Sequence, residues 1–190
     1  MVERGDQSLQ RRVAGYHDIR LDGITDLVTR ARGASVMDIG CNRGLVAFEF
    51  ANNGATRCSG CDNFADGIRT AQELFADLRN VKSQFEVVDL SKGQEAMLPF
   101  TGGWDILLLL ATYHKLKRVM PPELLSGLVR FLATKTNKYF AWRGTSDKPS
   151  ENEQEINALD IDLAACGFNR IHTSYISESL GVACIWSCKK

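Results

Sequence analysis

The chain has 190 residues, of which 44% are hydrophobic and 24% charged, a composition typical of one globular domain and not of a disordered chain. Lys and Arg together number 23, as do Asp and Glu, so the bulk positive charge of a nonspecific nucleic-acid binder is excluded. The first residues are charged and the longest apolar run is 106–111, so we expect no secretory signal, no membrane span and a cytoplasmic location with reduced cysteines.

Hydrophobic periodicity predicts helices and strands that alternate along the chain. Apolar residues at three- and four-residue steps predict an amphipathic helix over 18–32, which Gly33 ends. Short apolar segments then predict seven strands, over 35–39, 56–61, 84–89, 105–110, 138–142, 170–176 and 182–188. Further helices are predicted over 45–52 and 65–78, from Pro121–Pro122 through Leu132, and over 151–166.

This alternation predicts the fold class. Strands that alternate with helices form a parallel sheet with helices on both faces, an α/β three-layer sandwich. The last two strands are joined by 177–181, which we interpret as a hairpin, so the last strand of the seven-stranded, mostly parallel sheet should be antiparallel. We expect one domain over 1–190, with a helical lid at 1–32 and the core at 33–190.

The six cysteines include two close pairs. Cys58 and Cys61 form a C-x-x-C, and Cys184 and Cys188 are also near each other, which favours zinc or redox chemistry in one interpretation. Both pairs lie in apolar segments predicted as strands, where cysteine acts as a small hydrophobic residue. We therefore predict no metal site.

The stretch SVMDIGCNRG, after the first predicted strand, is the most informative motif. Ligands of open α/β sheets bind beyond the carboxyl ends of the strands, where Gly40 and Gly44 allow sharp turns and Asn42 tolerates positive φ. A dinucleotide loop (G-x-G-x-x-G) would need glycine at Asn42 and Leu45, which opposes an NAD-dependent oxidoreductase. Asp38 favours a ligand with positive charge.

The same stretch resembles motif I (D/E-x-G-x-G-x-G) of class I S-adenosylmethionine-dependent methyltransferases, with asparagine for the middle glycine. The resemblance implies a Rossmann-like core, S-adenosylmethionine as cofactor and S-adenosylhomocysteine as product. It also implies which loop residues surround the methionine part of the cofactor, namely Asp38, Gly40, Cys41, Asn42 and Gly44.

Acidic residues follow the next two predicted strands. Asp62 ends the second strand at about the spacing of ~20 residues expected for a ribose-binding acid, and either Asp62 or Asn63 could equally cap the next helix. Asp89 ends the third predicted strand; the family resemblance implies that it approaches the adenine amine and that Leu90 packs on the base. Leu110, at the end of the fourth strand, completes the expected cofactor site.

The segment WDILLLLATYHKL resembles motif IV of these enzymes but lacks the N/D-P-P-Y/F signature of exocyclic-amine methyltransferases. His114 is the candidate general base by residue type and location, or it makes ordinary hydrogen bonds; Tyr113 shapes the acceptor pocket or simply packs. Candidate groups for the cofactor carboxylate or an anionic acceptor, with solvated surface charge as the alternative, are Tyr16, Arg20, Arg43 and Arg143.

The sequence therefore predicts an enzyme that transfers a methyl group to an O or N acceptor, with a small molecule favoured. We expect the lid over the site to come from 1–32 and from the loops after the fourth and fifth strands. An RNA 5′-end methyltransferase, a non-catalytic S-adenosylmethionine-binding module and the less favoured NAD-dependent oxidoreductase are the alternatives. The acceptor and the oligomeric state do not follow from the sequence.

Overall fold

The computed structural model describes residues 19–177 and 181–189. Its strands are β1 (Ser35–Ile39), β2 (Arg57–Asp62), β3 (Lys82–Val87), β4 (Trp104–Leu110), β5 (Thr136–Arg143), β6 (Phe168–Ser177) and β7 (Gly181–Cys188). Its helices are α1 (Thr25–Thr29), α2 (Leu45–Asn52), α3 (Ala65–Phe75), α4 (Tyr113–Val119), α5 (Pro122–Thr134) and α6 (Pro149–Ala165). Short 3-10 segments cover Ile19–Leu21 and Leu90–Met97.

The strands form one seven-stranded sheet in the order β3-β2-β1-β4-β5-β7-β6. The pairs from β3 to β5 are parallel, whereas β7 runs antiparallel to both β5 and β6. The carboxyl ends of β1, β2, β4 and β5 therefore meet at one edge. The predicted α/β three-layer sandwich with an antiparallel last strand is confirmed.

Two hydrophobic clusters, one on each face of the sheet, hold the layers together. Apolar residues of α1, α2 and α3 pack on one face, and apolar residues of α4, α5 and α6 pack on the other. Strand β4 serves both clusters, since Leu107 and Leu109 belong to one and Ile106 and Leu108 to the other. Burial on both faces explains why β4 is continuously apolar.

The predicted helix over 18–32 is wrong in the part that the structure describes. A 3-10 turn and the five-residue helix α1 replace it, separated by Gly23 with φ 77°. The left-handed backbone at this glycine breaks the helical path. The apolar spacing still buries Ile24, Leu27 and Val28, because two short helical turns present them to the core as one long helix would.

The region after β2 contains two elements that the periodicity did not predict. Helix α4, which contains Tyr113 and His114, follows β4, and the 3-10 segment Leu90–Met97 follows β3. The third strand also ends at Val87, so Asp89 lies two residues beyond the strand and caps the 3-10 segment; the expectation that it ends the strand is wrong.

The cysteine pairs lie on separate strands. Cys58 and Cys61 are in β2 and Cys184 and Cys188 are in β7, with β1, β4 and β5 between them in the sheet. Within 19–177 and 181–189, no group of His, Cys, Asp and Glu side chains is arranged to hold a metal ion. None of the helices in the same two ranges is long and apolar enough to cross a membrane.

Candidate functional site

The glycine loop after β1 is held against the end of β2 by backbone hydrogen bonds. The amides of Gly40 and Cys41 both donate to the carbonyl of Cys61, at 2.8 and 3.0 Å. Asn42 has φ 50°, the left-handed conformation expected of it. Its amide donates to Asp62 Oδ2 at 2.8 Å, so the acid at the end of β2 fixes the loop next to β1.

Two glycines of this loop are required by close packing. A Cβ on Gly40, where φ is 78°, would collide with the side chain of Thr112. Gly44, with φ 70°, begins α2, and a Cβ there would lie 2.8 Å from Cβ of Ala71. The Gly40 contact brings the ends of β1 and β4 together, whereas Gly44 packs against α3 and lines neither of the cavities described next.

Two cavities adjoin at the carboxyl edge of the sheet and share Gly40, Asn42 and Leu110. The first, here called the Asp38 cavity, has a volume of about 310 Å³ and is lined from the glycine loop by Gly40, Cys41, Asn42 and Arg43. The second, the Asp62 cavity, has a volume of about 380 Å³, and its predicted lining residues are Asp62, Asn63, Asp89 and Leu90. Together they form a cleft with acids in both parts.

Asp38 is the buried charge of this cleft, with only 3% of its surface exposed. Burial, and then the carboxylate of Asp62, raise its pKa from 3.8 to about 7, against the lowering effect of the Arg143 guanidinium. A buried carboxylate with a raised pKa requires a cationic partner to ionise fully at neutral pH. The Asp38 cavity is thus suited to a ligand that carries an ammonium group.

The acids of the Asp62 cavity are held by backbone amides. Asp62 Oδ2 accepts the Asn42 amide, and Oδ1 accepts the amide of Phe64 at 3.0 Å. Asp89 Oδ1 accepts the hydroxyl and the amide of Ser91, at 2.6 and 3.0 Å, and these bonds keep the pKa of Asp89 low. Each carboxylate has further lone pairs, so both can still accept hydrogen bonds from hydroxyl or amino groups.

Basic side chains surround the Asp38 cavity. Arg20, Arg43 and Arg143 all line it, the first from the 3-10 turn before α1, the second from the glycine loop and the third from the end of β5. The structure therefore brings three of the four predicted anion-binding residues to one cavity. The fourth, Tyr16, lies outside the described residues.

Helix α4 runs along the Asp62 cavity, and its register decides which of its side chains face that cavity. Thr112, Lys115, Leu116 and Val119 line the cavity at steps of three and four residues. Ala111, just before them, has φ 54°, so both non-glycine residues with positive φ in the described chain line this cavity. Such strained backbone concentrates at functional sites.

Neither candidate catalytic residue lines the two cavities, so their catalytic role stays a prediction. Tyr113 is buried, and its burial, followed by the Glu155 and Asp162 carboxylates of α6, raises its pKa to about 12. His114 is half-buried, and burial, Arg118 and Lys115 lower its pKa. Sequence analysis missed Lys115, Leu116 and Val119, because their common face appears only once the bounds of α4 are known.

Comparison with protein-family models and with curated protein sequences gives no match. Solved structures do match. Magnesium protoporphyrin IX methyltransferase from Synechocystis PCC 6803, solved with bound S-adenosylmethionine, has 18% identity and a TM-score of 0.63, with 98% of this chain and 80% of that chain covered. The ribosomal protein L11 methylase from Lactobacillus delbrueckii subsp. bulgaricus has 16% identity and a TM-score of 0.60, over 87% of this chain and 79% of that chain.

The bifunctional kinase-methyltransferase WbdD is similar over part of its length, with 21% identity and a TM-score of 0.64 across 90% of this chain and 40% of that chain. These proteins differ in the substrates that their names give, yet each has a methyltransferase activity in its name. At such identities the likeness concerns the fold. The strand order, the glycine loop at the end of β1 and the antiparallel β7 show that this chain has the Rossmann-like fold of class I S-adenosylmethionine-dependent methyltransferases.

Proposed function

We propose that the chain is a methyltransferase that transfers a methyl group from S-adenosylmethionine to an oxygen or nitrogen atom of a small-molecule acceptor. One observation carries the proposal. The Asp38 cavity and the Asp62 cavity adjoin across Gly40, Asn42 and Leu110, and their charges match the two ends of an amino-acid nucleoside. The solved structure from Synechocystis, which holds S-adenosylmethionine on the same fold, supports this choice of cofactor.

The Asp38 cavity matches the methionine end of the cofactor. Burial is the main cause of the raised pKa of Asp38, and an ammonium group of a ligand beside the carboxylate would favour its ionised form. Arg20 and Arg143 line the same cavity and are suited to the cofactor carboxylate, since guanidinium groups bind carboxylates in a planar, bidentate manner. Gly40 lines the cavity with its backbone while the missing Cβ leaves room for Thr112, and Cys41 adds an apolar contact.

The Asp62 cavity matches the nucleoside end. In this proposal Asp62, with Asn63 beside it, accepts hydrogen bonds from the two ribose hydroxyls, and Asp89 accepts one from the adenine amine; all three residues line the cavity. Apolar side chains complete the slot for the base, which is flat and apolar on both faces; those that line the cavity are Val88, Leu90, Leu110, Leu116 and Val119.

The bound cofactor supplies a methyl group on a positively charged sulfur, which is already activated for displacement. The acceptor lone pair forms the new bond to the methyl carbon while the carbon–sulfur bond breaks and its electrons remain on sulfur. The protein therefore has mainly to align the acceptor atom, the methyl carbon and the sulfur, and rigid positioning of these atoms is the largest contribution it can make to the rate. The contact between Gly40 and Thr112 and the hydrogen bond from Thr112 Oγ1 to the carbonyl of Leu110, at 3.1 Å, fix the floor of the cleft.

The proton of an O or N acceptor must also leave. His114 is the proposed base: its lowered pKa keeps it neutral at pH 7, the form that accepts a proton. Tyr113 is proposed to shape the acceptor side, and Arg43, with Tyr16, to contact an anionic part of the acceptor. An RNA 5′-end acceptor is the second candidate for the same reaction.

The test is calorimetric titration with S-adenosylmethionine, S-adenosylhomocysteine and NAD, on the wild type and on the Asp62→Asn variant. We expect the first two ligands to bind and the variant to lose about 10- to 100-fold in affinity, because the ribose hydroxyls lose a charged acceptor, worth about 1.5–3 kcal/mol. Binding of NAD alone, or of none of the three, would contradict the proposal. Exposed Asp77→Asn is the matched control, since Asp77 lines neither cavity.

If the wild type binds S-adenosylmethionine, acceptors can then be screened with cofactor that carries a labelled methyl group. Transfer of label to small amines, carboxylates or phenols by the wild type, and not by Asp62→Asn, supports the small-molecule acceptor. Transfer only to a capped or triphosphorylated RNA end would establish the second candidate in its place.

A further inference from the structure

A third cavity, here called the α6 cavity, lies outside the proposed cofactor site. It has a volume of about 630 Å³ and lies between the first half of α6, the residues that follow β5, and strands β6 and β7. Small-molecule sites commonly have volumes of about 300–1,000 Å³. Nothing in the proposed methyl transfer uses this space, so its chemistry has to be derived from its own walls.

One wall is fixed by hydrogen bonds that do not depend on a ligand. Asn152, which is buried, donates from Nδ2 to the carbonyl of Ser146 at 2.9 Å. The Ser146 hydroxyl donates to Glu151 Oε2 at 2.7 Å and accepts the amide of Lys148 at 3.1 Å. Because the loop after β5 is tied to α6 in this way, the cavity is preformed, which lowers the entropic cost of binding.

The floor of the α6 cavity is apolar and its rim contains an aromatic ring. Ile156 and Val182 are buried at the floor, with Pro149 beside them. Tyr175 lines the rim with 85% of its surface exposed. An exposed tyrosine next to an apolar floor provides a surface on which the hydrocarbon part of a ligand packs, and its face attracts cations.

The net charge of the lining is acidic, since two carboxylates and one guanidinium group, that of Arg170, line the cavity. Asp147 and Glu153 both line the cavity and are exposed. The neighbouring cations have carboxylates of their own: Lys148 Nζ lies 3.1 Å from Glu151 Oε1, and Arg170 Nη2 lies 3.2 Å from Asp160 Oδ2. The carboxylates at and beside the cavity, namely Asp147, Glu151, Glu153 and Asp160, outnumber the two cations Lys148 and Arg170, so the net charge there is negative and attracts a cation.

We infer that the α6 cavity binds an organic cation, with its ammonium group between Asp147 and Glu153 and its apolar body on Ile156, Val182 and Tyr175. This site is separate from the cofactor cleft but close to it: Arg143 lines the Asp38 cavity and Ser146 lines the α6 cavity. Three residues of extended chain span at most about 11 Å. The inference does not depend on methyl transfer and is tested without it.

The probes are three molecules of nearly equal size and different charge: phenethylammonium, the neutral 2-phenylethanol and the anion phenylacetate. Calorimetric titration of the full chain should give affinities in that order. An exposed ion pair contributes about 0.2–1 kcal/mol, so each carboxylate should favour the cation over the neutral probe about 1.4- to 5-fold. Chemical-shift changes of backbone amides should include Ser146, Asn157 and Thr173, which line the cavity.

Variants separate the charge from the apolar surface. Asp147→Asn combined with Glu153→Gln should equalise the affinities for phenethylammonium and 2-phenylethanol, while Tyr175→Ala should weaken both probes. Glu73→Gln is the matched control: it removes an exposed carboxylate of α3, a helix that does not line the α6 cavity, and the preference for the cation should remain. All four side chains are exposed, so folding should persist, which thermal unfolding checks.

Equal binding of cation and neutral probe by the wild type, or no binding of any probe, would overturn the inference. So would tighter binding of phenylacetate that is lost in Arg170→Met, since that result identifies an anion site. Titration of the same samples with S-adenosylhomocysteine tests the proposed function separately. Failure of that ligand with success of phenethylammonium would refute the methyltransferase proposal alone, and the converse would refute the organic-cation site alone.

Discussion

Substitution of Asp38 by asparagine should make the protein more stable, and the gain should grow with pH. Asp38 is buried in β1, and its pKa is raised from 3.8 to about 7, first by burial and then by the Asp62 carboxylate, while Arg143 lowers it. A pKa raised in the folded state means that stability is fully present below the unfolded-state pKa. It is lost as the pH rises from about 3.8 to about 7.

The magnitude follows from the difference between the two pKa values. At 1.36 kcal/mol for each pKa unit, the ionisation of Asp38 costs about 4 kcal/mol of folding free energy at pH 8, where both states are charged, and about 2 kcal/mol at pH 5. Asparagine has nearly the same shape and does not titrate. The free energy of unfolding of Asp38→Asn, relative to the wild type, should therefore increase by about 2–3 kcal/mol between pH 5 and pH 8.

Urea unfolding of both proteins at the two pH values measures this difference. The change between pH values is independent of how well the amide packs, because packing contributes equally at both. Exposed Asp26→Asn is the control and should show no such change. A gain that is the same at pH 5 and pH 8 would falsify the assignment of Asp38 as a buried carboxylate with a raised pKa. The more stable variant should at the same time lose affinity for S-adenosylhomocysteine, whose ammonium group loses its charged partner.

Three other substitutions test the site and its supports. Gly40→Ala should lower the free energy of unfolding by about 2–4 kcal/mol, because the backbone is left-handed and the added methyl group collides with Thr112. The control is Gly33→Ala, where φ is 74° and the space around the Cβ is open, and it should cost only about 1–2 kcal/mol. Equal costs for the two variants would refute the contact between Gly40 and Thr112. The His114 proton resonance should titrate below pH 6.5 by NMR and vanish in His114→Gln; a midpoint above 6.5 would contradict its burial beside two cations. Arg57→Met removes guanidinium hydrogen bonds to two backbone carbonyl groups, so the free energy of unfolding in urea should fall by about 1–2 kcal/mol. If these bonds serve the fold alone, the affinity for S-adenosylhomocysteine should stay unchanged.

The sheet could be predicted from the sequence because each strand is indicated by the apolar residues of its own short segment. Five consecutive apolar residues in β4 indicate burial on both faces, and the chain after Gly167 shows two strand-like segments close together. The first helix could not be predicted correctly. Its spacing reports which residues are buried, and a 3-10 turn, a glycine bend and a short helix bury the same residues as one continuous helix.

The candidate site likewise has a part that could be predicted from the sequence and a part that could not. Asp38, Asn42 and Asp62 were found because loop residues at strand ends are tied to a motif of fixed spacing, and their positions do not depend on distant parts of the chain. The cavity-lining face of α4 was missed because it depends on where the helix begins. A shift of one residue rotates the face by about 100°, so that Lys115 is exchanged for His114 at the cavity.

The insertion of β7 between β5 and β6 has a consequence for the order in which the sheet can form. Strand β6 leaves the ribosome before β7, yet β6 has no hydrogen-bonded neighbour other than β7 in the described sheet. A nascent chain that ends after β6 therefore carries a ten-residue strand that has nothing to pair with, and an exposed strand edge of that kind is prone to association with other chains. Strand β7 is synthesised after both of its neighbours and joins them, so we expect β6 to enter the sheet only once β7 is available.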